Sequence, residues 1–210
     1  AIKMREDDEL VGVRLSDGDD DVLMVSRGGQ AIRFHESEVR SMGRDASGVR
    51  GMNLRAGDEV IELDIAQDDT DLLVVTENGY GKRTRVSEYP VKGRGGLGVK
   101  TVQLTEARGK LAGASIVRDG FQVMLISNGG TVIRIPVEDV KRLGRSTQGV
   151  IVMRLRGDEQ VSSLALVMES TATDSAVEAA ADAAVEAGIE PAAEPYFDED
   201  GFAAAADDDE

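Results

Sequence analysis

The sequence contains no cysteine and no tryptophan, and aromatic residues make up only 3% of its 210 residues. Without cysteine there are no disulfide bridges or thiolate metal sites, a composition that fits a reducing cytoplasm. No apolar run approaches the roughly 18 residues that a membrane helix needs, and no signal peptide is recognisable. We therefore expect a cytoplasmic protein without a membrane partner, whose core is built from Val, Leu, Ile and Met.

Groups for catalysis or metal binding are also scarce. His35 is the single histidine, and no motif places a general base beside any of the three tyrosines. Acidic runs at residues 17–21 and 68–71 lack the glycine and the distal glutamate of a calcium loop, so we interpret them as solvated loops. The string Gly93-x-Gly95-x-x-Gly98 fits a dinucleotide fingerprint, but an alternating strand follows it instead of a helix. The sequence predicts no catalytic residue, no metal and no cofactor.

Charge is distributed unevenly along the chain. The formal net charge is −16, yet all 24 Lys and Arg residues lie between Lys3 and Arg156, and 13 of the 40 acids follow Ser170. Residues 1–170 therefore have 24 basic and 27 acidic residues, a net charge of −3. Residues 169–210 form an acidic, Ala-rich tail that we expect to be disordered or weakly helical.

The strongest signal in the sequence is a repeat of 50, then 51 residues. The run Leu23-Met-Val-Ser-Arg-Gly-Gly29 has counterparts that begin at Leu73 and Met124. A later block, Gly-Arg-x-x-x-Gly-Val, occurs three times in the same register, beginning at Gly43, Gly93 and Gly144. Self-similarity at a fixed period is the signature of a repeat architecture.

Each repeat is predicted to form about four short strands. Apolar runs such as residues 22–25 and 72–75 are bounded by turn residues, and Gly-Gly or Asn-Gly pairs supply the positive φ of hairpin turns. Residues 37–39 and their equivalents are expected to be one turn of helix. The pattern predicts an all-β, propeller-like fold of about three and a half blades: the end of a blade at residues 1–16, then blades at residues 17–67, 68–117 and 118–168. The alternative is a β-sandwich with chance similarity.

Basic residues recur at one part of each repeat, whereas the acidic loops lie elsewhere. The second repeat has six cations within 19 residues and a single acid, Glu88. Stacked blades would align such residues into a cationic stripe; the alternative is an ordinary solvated strand face. The candidate residues are Lys82, Arg83, Arg85, Lys92, Arg94 and Lys100 in the second repeat, Arg33, Arg40, Arg44 and Arg50 in the first, and Arg134, Lys141, Arg142 and Arg145 in the third.

Duplex DNA is the partner that suits such a stripe. Lys, Arg and glycine-rich turns bind phosphates, and the scarcity of aromatics argues against stacking on single strands or RNA loops. A curved row of cations on a rigid scaffold favours a bent duplex, whose deformability sets the preference among sequences. A protein-interaction propeller is the alternative, and salt dependence separates the two because only phosphate binding weakens steeply with salt.

On these residues the chain resembles the DNA-wrapping C-terminal domain family of bacterial DNA gyrase A subunits, over about residues 1–168. The resemblance is carried by the apolar strand, the Gly-Gly or Asn-Gly turn, the arginine of the return strand, and Lys-Gly-Arg-Gly-Gly-Leu-Gly-Val-Lys at residues 92–100. It implies a β-pinwheel of usually six blades that wraps DNA on its rim in a positive sense. That wrapping would support ATP-dependent negative supercoiling by a type II topoisomerase.

The resemblance also implies what lies outside this chain. Cleavage and ATP hydrolysis would belong to the rest of the gyrase A subunit, and to the gyrase B subunit, while the acidic tail would act as a competing polyanion. The family's signature heptapeptide is Gln, two basic residues, Gly-Gly, a basic residue and Gly, but residues 91–98 keep only Arg-Gly-Gly-x-Gly. We expect the full motif in an earlier blade, upstream of Ala1. The topoisomerase IV subunit, which shares the fold and lacks the full motif, stays an alternative.

Overall fold

The structure is a computed structural model that describes residue 4 and residues 8–167. These residues belong to one compact unit of the chain, residues 1–169. The prediction for the acidic tail at residues 169–210 lies outside the described residues. No helix in the described part of the chain is long and apolar enough to cross a membrane.

The described residues form an all-β fold with short 3₁₀ turns. A two-strand hairpin opens each repeat, and a 3₁₀ turn, a loop and a last long strand follow it. The strands are β1 (Asp21–Ser26), β2 (Gln30–His35), β3 (Val60–Ala66), β4 (Asp71–Thr76), β5 (Tyr80–Arg85), β6 (Val99–Lys100), β7 (Leu111–Val117), β8 (Gln122–Ser127), β9 (Val132–Pro136), β10 (Val150–Ile151) and β11 (Val161–Val167).

The local turns follow the sequence prediction. Each hairpin turn has a glycine with positive φ at its last position: Gly29 at 79°, Gly79 at 77° and Gly130 at 84°. Side chains with a Cβ rarely adopt this conformation, which explains why glycine recurs there. The expected helical turns are present as 3₁₀ turns at Glu36–Glu38, Val86–Glu88 and Val137–Asp139.

The sheets are not built from single repeats. Their strand orders are β3-β1-β2-β6, β10-β5-β4-β7 and β11-β8-β9, so the fourth strand of the first two sheets comes from the following repeat. β6 pairs with the start of β2 through Gln30↔Lys100 and Ala31↔Val99, and β10 pairs with β5 in the same way. Strand propensity and repeat spacing do not predict that a strand pairs with the sheet of the preceding repeat, because a two-residue strand pairs with the sheet edge that lies beside it in the folded structure.

The core lies between neighbouring sheets. All six residues of β4 are buried, and successive side chains of a strand point to opposite faces. Leu72 and Val74 therefore pack with Leu23 of the first sheet, whereas Leu73 and Val75 pack with residues of the third sheet, including Val123 and Leu125. The continuous apolar run predicted as a buried strand is thus a strand that is covered on both faces.

Candidate nucleic-acid interface

Three loops that follow the repeated 3₁₀ turns carry most of the predicted cations. We call residues 39–50, 89–100 and 140–151 the basic loops. The second and third of them lie along the return strand of the preceding sheet: the Lys92 N–H donates to Arg33 O at 2.8 Å, and the Leu143 N–H donates to Arg83 O at 2.8 Å. They end in β6 and β10, at the sheet edge opposite to β3 and β7. The repeat therefore brings its basic loops to one edge of successive sheets.

Backbone hydrogen bonds connect consecutive basic loops. The Gly95 N–H donates to Gly51 O at 2.6 Å, and the Asn53 N–H donates to Gly96 O at 2.8 Å. One repeat further on, the Gln103 N–H donates to Thr147 O at 2.9 Å. The second and third loops therefore each contact the chain that continues from the loop before them, and the cations of the three repeats follow one another along a continuous edge.

The structure divides the fourteen predicted cations into three groups. Two of them, Lys82 and Arg83, are buried, with exposed fractions of 0% and 7%. Arg33, Arg94 and Arg145 are half-buried. The other nine are exposed: Arg40, Arg44, Arg50, Arg85, Lys92, Lys100, Arg134, Lys141 and Arg142.

The arginine that recurs in the return strand connects neighbouring repeats. Arg33 bonds to Asp21 at 2.8 Å within its own sheet and to Asp68 of the next repeat at 2.6 Å. Its side chain is only 10% exposed. A guanidinium occupied in this way has few donors left for a phosphate, although the repeat pattern predicts that Arg33 binds DNA.

Arg83 repeats this arrangement in the second blade. Its guanidinium bonds to Asp71 at 3.1 Å, to Asp119 of the next repeat, and to the carbonyl oxygen of Val140 at 2.8 Å. The side chain of Asp71 is 5% exposed and also accepts from Arg142 at 2.8 Å. Two arginines thus compensate one buried carboxylate, which keeps a buried charge from being unpaired.

These ion pairs shift the titration of their members. The hydrogen bond from Arg83 lowers the pKa of Asp119, and the hydrogen bond to Asp71 raises the pKa of Arg142. The sequence contains a signal for the arrangement, because Asp21 and Asp71 recur with the same period as Arg33 and Arg83. A periodic acid in register with a periodic arginine indicates a structural ion pair, which the pattern of cations alone does not reveal.

The second basic loop is held by its own arginine. The Arg94 Nε–H donates to Glu38 O and its Nη1–H to Arg50 O, both at 2.9 Å, and the Arg94 backbone N–H donates to the Glu38 carboxylate at 2.9 Å. Arg94 therefore fastens residues 92–96 to the first repeat. Its guanidinium already has two protein acceptors.

The third basic loop is held by a lysine from the preceding blade. The Lys82 Nζ donates to Gly144 O and to Arg145 O, both at 2.6 Å, and to Thr147 Oγ1 at 3.2 Å. Burial lowers the pKa of Lys82 to about 8, an effect that nearby Glu88 opposes and Arg145 reinforces. The repeat pattern predicts Lys82 to be a DNA-facing cation, whereas its ammonium lies buried against the neighbouring loop.

Tyr89 is a packing residue, and the equivalent positions of the other two repeats are Val39 and Val140. It is 1% exposed, and its hydroxyl is hydrogen-bonded to Thr101 Oγ1. Burial raises the pKa of this phenol to about 12. Such a tyrosine lies in the core and is not placed as a nucleophile.

One group of acids in the described part of the chain is compact enough to consider for a metal ion. Ligand atoms of Asp17, Asp20 and Glu36 lie within 4.8 Å of one another. The Glu36 carboxylate, however, accepts hydrogen bonds from the Ser16 hydroxyl at 2.5 Å and from the Gly18 and Asp20 N–H groups at 2.9 and 2.7 Å. These hydrogen bonds lower the pKa of Glu36, and the bond from Ser16 has the largest effect. The carboxylate thus organises the loop that precedes β1.

Comparison with known proteins gives one family. The sequence matches the family described as DNA gyrase C-terminal domain, beta-propeller, over residues 1–17, 20–67, 70–118 and 122–168. It is 60% identical over 167 residues to the A subunit of DNA gyrase from Halalkalibacterium halodurans, a match that covers 80% of this chain and 20% of that protein. The chain therefore spans about a fifth of the length of this relative.

Two solved structures share the fold. The C-terminal domain of DNA topoisomerase IV superimposes with a TM-score of 0.79 at 27% identity, covering 87% of this chain and 57% of the other. The DNA gyrase A C-terminal domain superimposes with a TM-score of 0.73 at 27% identity, covering 80% of this chain and 57% of the other. Both likenesses support the propeller-like architecture.

Proposed function

Because the chain belongs to the DNA gyrase C-terminal domain family, we propose that it binds duplex DNA and wraps it along the basic loops, as part of a longer gyrase A subunit. The rest of that polypeptide and the gyrase B subunit are its partners in this proposal, and ATP-dependent negative supercoiling in the bacterial cytoplasm is the process that it serves. DNA cleavage and ATP hydrolysis belong to those other parts, so this portion contributes binding energy and DNA geometry.

The continuity of the basic loops carries the proposal. Hydrogen bonds join the second and third basic loops to the chain of the preceding repeat, so exposed cations recur along one edge at the spacing of the blades. A duplex that follows this edge exchanges its counterions for protein cations at each blade, which is the main source of sequence-independent affinity. Bending the duplex around the edge adds contacts that repay its deformation energy.

The structure narrows the set of residues for this role. We propose the exposed cations of the basic loops as the main phosphate contacts, with exposed Arg85 and Arg134 beside them. Arg33 and Arg94 have their donors largely occupied, and Lys82 and Arg83 are buried. The main contacts are the exposed Arg40, Arg44, Arg50, Lys92, Lys100, Lys141 and Arg142, together with the half-buried Arg145.

The similarity to the Halalkalibacterium halodurans protein also favours gyrase over topoisomerase IV. Identity of 60% is to a gyrase A subunit, whereas the solved structures of topoisomerase IV and of gyrase A are both 27% identical and support the shared fold. We therefore assign the chain to gyrase. A protein-interaction role has no comparable support among the described residues, whose basic edge exposes charged side chains.

One exposed cation in each basic loop offers a direct test. We expect the triple variant Arg44→Gln, Lys92→Gln, Lys141→Gln of the 210-residue chain to bind duplex DNA more weakly at low salt. The slope of log K against log salt concentration should fall by about 2 to 3, since each lost phosphate contact removes about 0.9 from the slope. Fluorescence anisotropy with a labelled duplex, repeated over a salt series, measures both quantities.

A charge-matched control separates a defined path from general attraction. Lys110, Arg154 and Arg156 are exposed cations outside the basic loops, so the variant Lys110→Gln, Arg154→Gln, Arg156→Gln changes net charge by the same amount. It should keep most of the wild-type slope. Equal losses in both triple variants would reduce the effect to net charge, and the proposed path would be abandoned.

Wrapping is tested separately from binding. A nicked plasmid ligated in the presence of the protein should show a shift in linking number of positive sign, in proportion to bound protein. The basic-loop variant should lose the shift at protein concentrations that restore its occupancy. Binding without any shift would leave the chain a DNA-binding domain that does not wrap.

A further inference from the structure

Lys82 occupies a repeat position where the other two repeats have isoleucine. The equivalent residues are Ile32 in β2 and Ile133 in β9. In the first sheet, the Ile32 side chain lies under the second basic loop, with its Cδ1 3.7 Å from where a Cβ on Gly96 would stand. The second sheet has an ammonium group at this place. An apolar residue is therefore compatible with the blade, and the lysine requires another explanation.

The Lys82 ammonium is fully hydrogen-bonded by one loop. Its acceptors are the carbonyl oxygens of Gly144 and Arg145 and the hydroxyl of Thr147, which match the three donors of a lysine. The Thr147 hydroxyl also donates to Gly144 O at 2.8 Å. Residues 144–147 thus close around a single buried cation.

The two basic loops that lie on a preceding sheet are held in different ways. In the second loop, the guanidinium of Arg94 supplies the anchoring bonds itself. In the third loop, the equivalent residue is Arg145, and its guanidinium makes no hydrogen bond or ion pair within the described residues. Lys82 supplies the internal bonds in its place, and it leaves the Arg145 guanidinium available to a ligand.

We propose that Lys82 is a positioning residue, which holds residues 144–147 in the shape that presents Arg145 to a DNA phosphate. This inference rests on the proposed function, because it adds a residue that acts on DNA through the loop and not by contact. It also sets the third basic loop apart from the second, where anchoring occupies the arginine.

Titration of the ammonium gives the proposal a signature. Burial lowers the pKa of Lys82 to about 8, and the charged groups that face it are Glu88 and Arg145. Above that pH the amine loses its charge and its third donor, so the charge-assisted bonds to the two carbonyl groups weaken. DNA affinity should decrease between about pH 7 and pH 9 more steeply than in a variant without the amine.

The test compares Lys82→Met and Lys82→Ile with wild type in the 210-residue chain. Lys82→Ile copies the residue of the other two repeats, and Lys82→Met keeps the unbranched stem. Lys110→Met, at an exposed lysine outside the basic loops, controls for the loss of one charge. We expect both Lys82 variants to lose affinity about tenfold, the value of one charge-assisted contact, and Lys110→Met to bind nearly as wild type.

Hydrogen exchange makes the loop visible without DNA. The amides of residues 143–147 should exchange faster in both Lys82 variants than in wild type at the same pH, while those of residues 92–96 should not change. Adding Arg145→Gln should weaken DNA binding about tenfold in wild type and only slightly in the Lys82 variants, because the two residues act in series.

Each outcome has a defined meaning. Faster exchange, weaker binding and a flattened pH profile in the variants support the proposal. Unchanged exchange in the loop overturns it, and so does faster exchange with unchanged affinity, since the loop would then be held for stability alone. Should a variant fail to fold, the wild-type pH profile decides, and the lack of a decrease near pH 8 overturns the proposal. If wild type itself does not bind duplex DNA, the proposed function fails, and exchange still reports whether Lys82 orders the loop.

Discussion

Replacement of Arg83 tests whether the periodic arginine joins blades or contacts DNA. In Arg83→Met the aliphatic stem stays, but Asp71 loses one of its two arginine partners, and the carbonyl oxygen of Val140 loses a donor. Breaking a buried ion pair costs about 3 to 5 kcal/mol. Because Arg142 still pairs with Asp71 at 2.8 Å, we expect the lower end, about 3 kcal/mol of unfolding free energy.

Arg85 provides the matched control for this change. It lies in the same strand, two residues away, and its side chain is exposed. Surface substitutions usually change stability by at most about 0.5 kcal/mol, so Arg85→Met should unfold nearly as wild type. Since the chain has no tryptophan, urea titration followed by far-ultraviolet circular dichroism is the suitable assay, with tyrosine fluorescence as a second probe of the same transition.

DNA binding completes the test. Without urea, and at a temperature at which Arg83→Met is folded, the slope of log K for DNA binding against log salt concentration should equal that of wild type, because a buried guanidinium displaces no counterion. A direct phosphate contact predicts the reverse: a slope lower by about 0.9 with little change in stability. That pattern, or equal stability of the two methionine variants, would refute the assignment of Arg83 to the contact between blades.

Two further predictions concern packing. Gly98 has φ +73°, and a Cβ there would stand 2.3 Å from Ala31 O, whereas Gly120 has φ +90° and open space around it. Gly98→Ala should therefore lower the melting temperature much more than Gly120→Ala, which has only the conformational cost of about 1 kcal/mol. Similar decreases in melting temperature for the two variants would show that β6 does not approach β2 so closely. Tyr89→Phe should cost about 1 to 2 kcal/mol in urea unfolding, because Thr101 loses its buried partner. Since folding raises the pKa of Tyr89 to about 12, its neutral hydroxyl contributes stability that is fully present below about pH 10 and lost as pH rises toward 12. Ultraviolet titration of the phenol measures this pKa, and a normal value would contradict the burial of Tyr89.

Much of the fold follows from local chemistry that the sequence contains. The hairpins, the 3₁₀ turns and the positive φ of Gly29, Gly79 and Gly130 depend on residues next to each other in the chain, and the period of 50 and 51 residues repeats them in register. The basic loops are found in the same way, because each repeat has exposed cations in the corresponding loop, among them Arg44, Lys92 and Lys141.

The tertiary structure alone decided which sheet each short strand joins and which cations face inward. β6 and β10 complete the sheets of the preceding repeats. The third basic loop, which ends in β10, covers Lys82 and brings Val140 to Arg83, and Asp119, between β7 and β8, also bonds to Arg83. The residue type determines the charge of a side chain, but the exposure of that side chain depends on which part of a neighbouring repeat packs against it. The sequence therefore determined where the cations recur, and the packing of one blade on the next determined which of them hold the protein together and which remain at its surface.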